Sequence, residues 1–359
     1  MIVFAFPDAS AAAIRVEAVI ALPALSRADR LILSAAARTA LRDTKEYGRR
    51  AILAISPDGT IARVEEDYLH LSFTFVPERT SEGLSLLESA LLRPALLPES
   101  LAEATKAVAG GAALSPWSRA RRVAMAPARE VSGEEARGVW ERVVRPERLA
   151  VAFSGPGSEV ARERWLARPL VFAPIIQPRY AKADGPLPLP AESPVAVLEM
   201  PAKLDGATLL AVTALGSGKG SLTWRVLRSE LGISYRPEAS LAGTTEGWDM
   251  RLRFDVSTPE EAATAREALA QRIETLTEED RRRALGYLGA SLRGQTVDSP
   301  FDQTPAEVAN RPFMTAYLVA KGLGMFDPVA LADAASRVSL AEMKEQIRIF
   351  LNDARIEIR

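Results

Sequence analysis

The sequence contains no cysteine and a single histidine, His70, among its 359 residues. The absence of cysteine excludes disulfide bonds, thiolate nucleophiles and every metal site with sulfur ligands. A single imidazole also excludes the pair of histidines, one helical turn apart, that grips zinc in many metallopeptidases. We therefore expect no metal or other cofactor to be bound by this chain alone.

Long apolar runs and an excess of one charge are missing as well. The 45 basic residues nearly balance the 46 acidic ones, so no basic face is expected for nucleic acid or for an anionic membrane. No apolar run approaches the length of a membrane-spanning helix. The opening residues, MIVFAFPDAS, lack the basic region of a signal peptide and resemble a first strand. The expectation is a soluble cytoplasmic protein whose partners are neither nucleic acids nor membranes.

Prolines are concentrated near the middle of the chain, where seven fall within residues 169–194. Such a stretch does not form a helix interior and is typical of an extended linker. It predicts two domains, over residues 1–168 and 195–359, each long enough for its own core.

The two sides of this linker carry the same order of signals. VSGEEARGVWERVVRPERLAV (131–151) aligns without a gap with VSLAEMKEQIRIFLNDARIEI (338–358), each with a Val-Ser helix start, an amphipathic helix and a short apolar strand. Residues 78–104 parallel residues 256–282 as a strand end followed by two helices. Strand-like runs precede these segments at 14–22, 51–55 and 69–76, and again at 208–215, 236–242 and 248–256.

Strands followed by helices, twice over, predict two duplicated α+β domains, each a mostly antiparallel sheet with helices packed on one face. A doubly wound parallel sheet would require a regular alternation of strand and helix, which the sequence does not show.

The segment GSGKGSLTWRVLRSELGISY (216–235) resembles a phosphate-binding loop at first sight. That loop requires Ser or Thr after its lysine and a glycine five positions before the Gly-Lys pair. Here Gly220 follows Lys219, and Thr213 occupies the earlier position. A glycine-rich turn that enters a helix capped by Ser221 is the simpler interpretation.

With the duplication established, this second half resembles the C-terminal half of the insulinase/pitrilysin-type zinc metallopeptidases, the superfamily of mitochondrial processing peptidase. There a strand (here 211–215) leads into a glycine-rich loop (216–220), a short helix (222–231), an arginine and, seven positions later, a tyrosine. Arg228 and Tyr235 match the last two, and Gly232 suits the end of the helix. The resemblance also runs through DYLHLSFTFVPERTSEGLSLLESALL, RPERLAVAFSG, TEGWDMRLRFDVSTPEEAATAREAL and EEDRRRALGYLGASLRG, nearly the whole chain.

The first half of the sequence lacks the zinc-binding residues that active members of that family carry. An active member carries His-x-x-Glu-His on its first long helix, whereas residues 26–48 here contain no histidine and offer only Asp29 and Glu46, too far apart to share a metal. The third zinc ligand, a glutamate, would fall near residues 103–115, where Gly110 and Gly111 stand. His70, with Glu66 and Asp67 nearby, is interpreted as a strand histidine satisfied by its neighbours.

The resemblance therefore implies a non-catalytic subunit of a heterodimeric zinc peptidase, inactive by itself. Arg228 and Tyr235 would face the zinc of a homologous partner subunit and donate hydrogen bonds to the substrate carbonyl or to the developing oxyanion. Zinc is expected in that partner only, and a peptide or unfolded protein is the expected substrate.

The glycine-rich loop, made of Gly216, Ser217, Gly218, Lys219 and Gly220, would be mobile and would contact the peptide backbone, with Lys219 favouring acidic substrate residues. Three alternatives stay open. Arg228 could be a solvated helix residue and Tyr235 an ordinary strand aromatic. The chain could be a stand-alone peptide-binding or scaffolding protein, including a homodimer. It could also be a nucleotide-binding protein.

Overall fold

The computed structural model describes residues 1–110, 129–172, 194–296 and 299–358. These residues divide into two compact units. The first contains the described residues up to 172 together with Pro312–Met325, and the second contains the rest. Most of the predicted linker, 173–193, lies outside the described residues, and so does Gly111.

The first unit is built on a five-stranded sheet with the order β1-β5-β2-β4-β3. Strands β1 and β5 are parallel, and the other neighbours are antiparallel. The strands are β1 (Ile2–Phe6), β2 (Ile14–Ala21), β3 (Thr60–Val64), β4 (Tyr68–Phe75) and β5 (Leu149–Ser154). The helices are α1 (Arg27–Ala40), α2 (Arg49–Ile55), α3 (Thr80–Leu92), α4 (Pro98–Gly110), α5 (Gly133–Val143) and α6 (Ser158–Leu166).

The second unit is built on a four-stranded antiparallel sheet with the order β7-β8-β6-β9. Its strands are β6 (Val195–Ala202), β7 (Glu238–Thr244), β8 (Gly247–Asp255) and β9 (Arg355–Ile358). Its helices are α7 (Gly206–Gly216), a π-helix (Trp224–Glu230), α8 (Pro259–Arg272), α9 (Glu278–Leu292), α10 (Pro305–Ala309), α12 (Pro328–Ser336) and α13 (Leu340–Asp353). Helix α11 (Arg311–Ala320) packs in the first unit except for its first residue. Among the described residues no helix is both long and apolar enough to cross a bilayer.

The duplication predicted from the sequence is confirmed by the topology. Read from its other end, the second sheet has the order β9-β6-β8-β7, which matches β5-β2-β4-β3 in the first sheet. The two aligned segments form corresponding helices, α5 and α13. Each begins with a serine that accepts from the backbone of a glutamate three residues on, which in turn accepts from the serine backbone. The predicted α+β fold class is therefore confirmed.

Side-chain alternation gives the first sheet one apolar and one polar face. Ile14, Val16, Leu71 and Phe73 point to one side and join a single buried core with the helices. Glu17 and His70 lie on the opposite side and are nevertheless buried. On this unit, strand alternation alone therefore does not explain which residues are buried.

Helix α11 covers this polar face. The ring of Phe313 lies 4.7 Å from that of His70, and the ring of Tyr317 lies 5.0 Å from that of Tyr68. The Tyr317 hydroxyl donates to Asp67 over 2.8 Å, and the ammonium of Lys321, just after the helix, pairs with the same carboxylate. A segment from the second half of the sequence thus completes the first unit.

Two of the predicted strands are helices. Residues 208–215 lie in α7 and residues 51–55 lie in α2, so the segment before the glycine-rich loop is not a strand. Helix α7 is buried all round, and a continuous apolar run has no periodicity that separates a strand from a buried helix. The sequence feature that indicates this helix is Asp205, whose side chain accepts from the backbone N–H of Thr208 and caps α7.

Helix α7 ends in a close backbone contact with β7. A Cβ added at Gly216 would lie 2.3 Å from the backbone nitrogen of Ala239, a distance that no side chain tolerates. Gly216 is therefore a packing glycine, required where a helix end meets a strand.

We expect Gly216→Ala to lower the free energy of unfolding by about 1–3 kcal/mol, because overpacking outweighs the gain in helix propensity. Gly286 in α9 is the matched control, since nothing lies within 4 Å of a Cβ added there. Gly286→Ala should stabilise the protein by up to about 1 kcal/mol. Urea unfolding of both variants measures whether each change raises or lowers the free energy of unfolding. If Gly216→Ala is as stable as the wild type, the close contact with Ala239 is wrong.

The buried pair between Asp67 and Lys321 generates a second prediction. Their side chains are 4% and 5% exposed, so Lys321→Met leaves a buried carboxylate without its cation and should cost about 3–5 kcal/mol. The double variant Asp67→Asn/Lys321→Met should cost less than the two single variants together. Arg337→Met, which breaks an exposed pair with Asp333, should change stability little. Additive costs measured by urea unfolding would show that Asp67 and Lys321 do not interact.

Candidate functional site

The glycine-rich loop follows α7 and packs on α9. Gly218 has a φ of 75°, and a Cβ added there would lie 2.8 Å from the ring of Tyr287. At Gly220 an added Cβ would lie 2.6 Å from a guanidinium nitrogen of Arg283. Ser217 is buried, and Lys219 is the exposed member of the loop. Gly218 thus has a backbone reason and a packing reason for lacking a side chain, whereas the contact at Gly220 is with the end of a flexible side chain that can move.

The helix after the loop is a π-helix. Ser221 accepts from the backbone N–H of Trp224 over 3.3 Å, as expected for a cap. The backbone N–H of Leu231 donates to the carbonyl of Val226, which is the i to i−5 bond of a π turn with one extra residue. Gly232 then adopts a φ of 64° and ends the helix in the left-handed conformation predicted for it.

This geometry brings Arg228 and Tyr235 together. The guanidinium carbon of Arg228 lies 3.9 Å from the ring centroid of Tyr235 and 4.0 Å from that of Trp224, so the cation lies against two aromatic rings. Nη1 of Arg228 donates to the carbonyl of Tyr235 over 3.1 Å. We call Trp224, Arg228 and Tyr235 the arginine stack. The sequence offered no reason to include Trp224, although it lies four residues before Arg228.

The surroundings of Arg228 and Tyr235 differ from the two simpler alternatives, a solvated helix residue and an ordinary strand aromatic. Arg228 is half-buried between two rings rather than extended into solvent. Tyr235 precedes β7 by three residues and is 70% exposed, so it is not a strand aromatic. A guanidinium held in a fixed plane can donate only along its edge, and the phenol beside it is open to solvent.

A network of charges supports the start of the π-helix. Asp280 accepts from Arg283 over 3.2 Å, and a guanidinium nitrogen of Arg225 lies 3.5 Å from the same oxygen. Burial alone would raise the pKa of Asp280, but hydrogen bonds from Thr277 and the two guanidinium charges outweigh burial and hold the pKa below its ordinary value. This carboxylate therefore stays ionised and ties the loop region to α9.

In the first unit, the segments that the resemblance compares with the zinc site contribute packing contacts and ion pairs. Leu31 on α1 and Val108 on α4 form a small apolar cluster between these two helices. Asp29 pairs with Arg142 at 2.8 Å, while Glu46 pairs with Arg93 at 2.9 Å. In the part of the chain that the structure describes, no three His, Asp or Glu side chains are grouped as a metal would require.

His70 bonds a neighbour through one ring nitrogen, as predicted, but the neighbour is Glu17, and the buried Nδ1 of His70 has no hydrogen-bond partner among the described residues. Its Nε2 lies 2.6 Å from Oε2 of Glu17, and both side chains are buried. Asp67, which the sequence places beside His70, pairs with Lys321 instead. Glu17 becomes a partner only through the register of β2 against β4, and no local signal reveals it.

Comparison with known proteins places the fold. No protein-family model and no curated protein matches the sequence. Solved structures match across the whole chain, among them a peptidase M16 inactive domain from Pseudomonas fluorescens, at 12% identity and a TM-score of 0.72, covering 99% of this chain and 94% of that one.

Two further structures agree with the first. A protease from Helicobacter pylori is 11% identical with a TM-score of 0.70, over 98% of this chain and 93% of that one. A protein from Alicyclobacillus acidocaldarius, named as an M16-like peptidase, is 14% identical with a TM-score of 0.67, over 99% of this chain and 94% of that one. The chain therefore has the α+β fold of M16-like peptidase structures, one of them described as inactive.

Proposed function

We propose that this chain is the non-catalytic subunit of a zinc peptidase made of two homologous chains. The arginine stack carries the proposal, because it preorganises Arg228 and Tyr235 at the spacing that the family resemblance implies. The fold supports it, since a structure with the same fold is described as an inactive M16 domain.

The role of the stack follows from what its atoms can donate. The Arg228 guanidinium lies against two rings, and its N–H groups that are not bonded to the Tyr235 carbonyl would serve as donors. The Tyr235 hydroxyl is a second donor beside it. Two such donors, fixed before the substrate arrives, would hold the carbonyl of a bound peptide and stabilise the oxyanion that forms when hydroxide attacks it.

The zinc that activates this hydroxide would belong to the partner subunit. This chain has one histidine, and that imidazole is buried against Glu17. The corresponding helix α1 directs Leu31 toward Val108 and engages Asp29 with Arg142. Because a catalytic zinc requires three protein ligands, the donor set of the first unit does not fit the ion.

The partner can be tested by purification. The tagged chain, isolated from its native host, should copurify with a homologue that carries His-x-x-Glu-His and bound zinc. Metal analysis of the complex and of the isolated chain should assign the zinc to the homologue. Peptide cleavage should require both chains. If the chain purifies alone and still binds unfolded peptides, the stand-alone peptide-binding alternative replaces this proposal.

The role of Tyr235 can be tested within that complex. We expect Tyr235→Phe to lower kcat about tenfold to a hundredfold with a smaller change in KM, because the phenol acts on the transition state. The variant keeps the ring, and hence the arginine stack. Arg164→Gln, an exposed change in α6, is the control and should leave kcat unchanged. An unaltered kcat for Tyr235→Phe removes the phenol from the reaction.

A further inference from the structure

The arginine stack has a property that hydrogen bonding to a peptide carbonyl does not use, namely its charge. The segment 216–237 contains four basic residues, Lys219, Arg225, Arg228 and Arg236, and one acidic residue, Glu230. Glu230 pairs with Arg272 at 2.9 Å, outside the segment. Arg225 has Asp280 as its partner. Within the described residues, Lys219, Arg228 and Arg236 have no carboxylate at ion-pair distance, which leaves an excess of positive charge.

The stack also fixes the direction from which an anion can approach. Ring centroids lie 3.9 and 4.0 Å from the guanidinium carbon of Arg228, and Nη1 already donates to the carbonyl of Tyr235. The other N–H groups lie in the guanidinium plane, and the planar fork of arginine matches the two oxygens of a carboxylate. A point anion without a planar pair of oxygens fits this edge less well.

Preorganisation makes such a contact stronger than an ordinary surface ion pair. An exposed arginine gives up side-chain freedom when it pairs, and most surface pairs therefore contribute little. Arg228 has already lost that freedom between Trp224 and Tyr235, and the rings shield it from part of the solvent. Because folding already orders the Arg228 side chain, ligand binding causes little further loss of its conformational entropy.

From these observations we infer that the arginine stack is a carboxylate-binding site, and that the peptides bound there carry an acidic side chain or a free C-terminal carboxylate that docks on the edge of Arg228. This inference deepens the proposed function, on which the choice of a peptide as ligand rests. It moves the guanidinium from the substrate carbonyl to an acidic group of the substrate, keeps the ring of Tyr235 for positioning, and leaves the carbonyl and the oxyanion to the Tyr235 hydroxyl.

The test uses the isolated full-length chain and short fluorescent peptides with blocked ends. The probe has a single central aspartate, and its control has asparagine at that position. A third peptide has neither, but ends in a free carboxylate, and a fourth is its amide. Fluorescence anisotropy should show that the aspartate peptide, the free-carboxylate peptide, or both bind about tenfold or more tightly than their neutral controls. The pair that shows the difference identifies the source of the carboxylate.

Substitutions assign the difference to the stack. Arg228→Gln should abolish discrimination between acidic and neutral peptides, and Arg228→Lys should lose most of it, because an ammonium keeps the charge without the planar fork. Tyr235→Ala should weaken discrimination, while Tyr235→Phe should retain it, since the ring remains. Arg164→Gln controls for net charge, and thermal unfolding confirms that each variant is folded.

Equal binding of acidic and neutral peptides by the wild type overturns the inference, and so does undiminished discrimination by folded Arg228→Gln. Failure of the proposed function gives a different pattern. If no zinc-bearing homologue copurifies while Arg228→Gln still abolishes discrimination, the carboxylate site stands and the peptidase role falls. If Tyr235→Phe leaves kcat of the complex unchanged, only the phenol is removed from the reaction. If Tyr235→Phe lowers kcat and acidic and neutral peptides bind equally, the peptidase role stands and the carboxylate site falls.

Discussion

The contact between Gly216 and Ala239 sets the geometry of the candidate site. Gly216 ends α7, Ala239 is the second residue of β7, and the backbone of Ala239 lies where a side chain at Gly216 would have to be. Everything between them is therefore a closed loop whose two ends are held together by the sheet and by a buried helix. Closing the ends restricts the conformations of the intervening chain, which makes a compact arrangement of loop, π-helix and arginine stack possible.

Within that closed segment, the glycine-rich loop contacts a neighbouring helix. Gly218 and Gly220 lie against Tyr287 and Arg283 of α9, and at Gly218 the lack of a side chain serves close packing. The extra residue of the π turn and the left-handed Gly232 then carry the chain back toward β7. The outcome is a site in which Arg228 packs against aromatic rings and Tyr235 is exposed.

In the described part of the first unit, no three potential metal ligands are grouped together. Apolar side chains fill the space between α1 and α4, and the carboxylates that remain nearby are paired with arginines. On the other side of the sheet, Glu17 and His70 pair with each other, and Asp67 pairs with Lys321 under α11. Buried charges of this kind are costly to separate, which explains why this face is completed by a helix from a distant part of the sequence.

The sequence by itself determined the α+β class and the internal duplication, because helix caps and apolar alternation are local signals that survive in each copy. It also determined that no histidine pair is available for zinc, since that depends on composition alone. Only the tertiary structure decided that residues 208–215 are helical, because a segment buried on all sides carries no periodicity. Strand register likewise chose Glu17 as the partner of His70, and the π turn brought Trp224 onto Arg228. These contacts join residues through backbone geometry and long-range pairing, which leave no pattern along the chain.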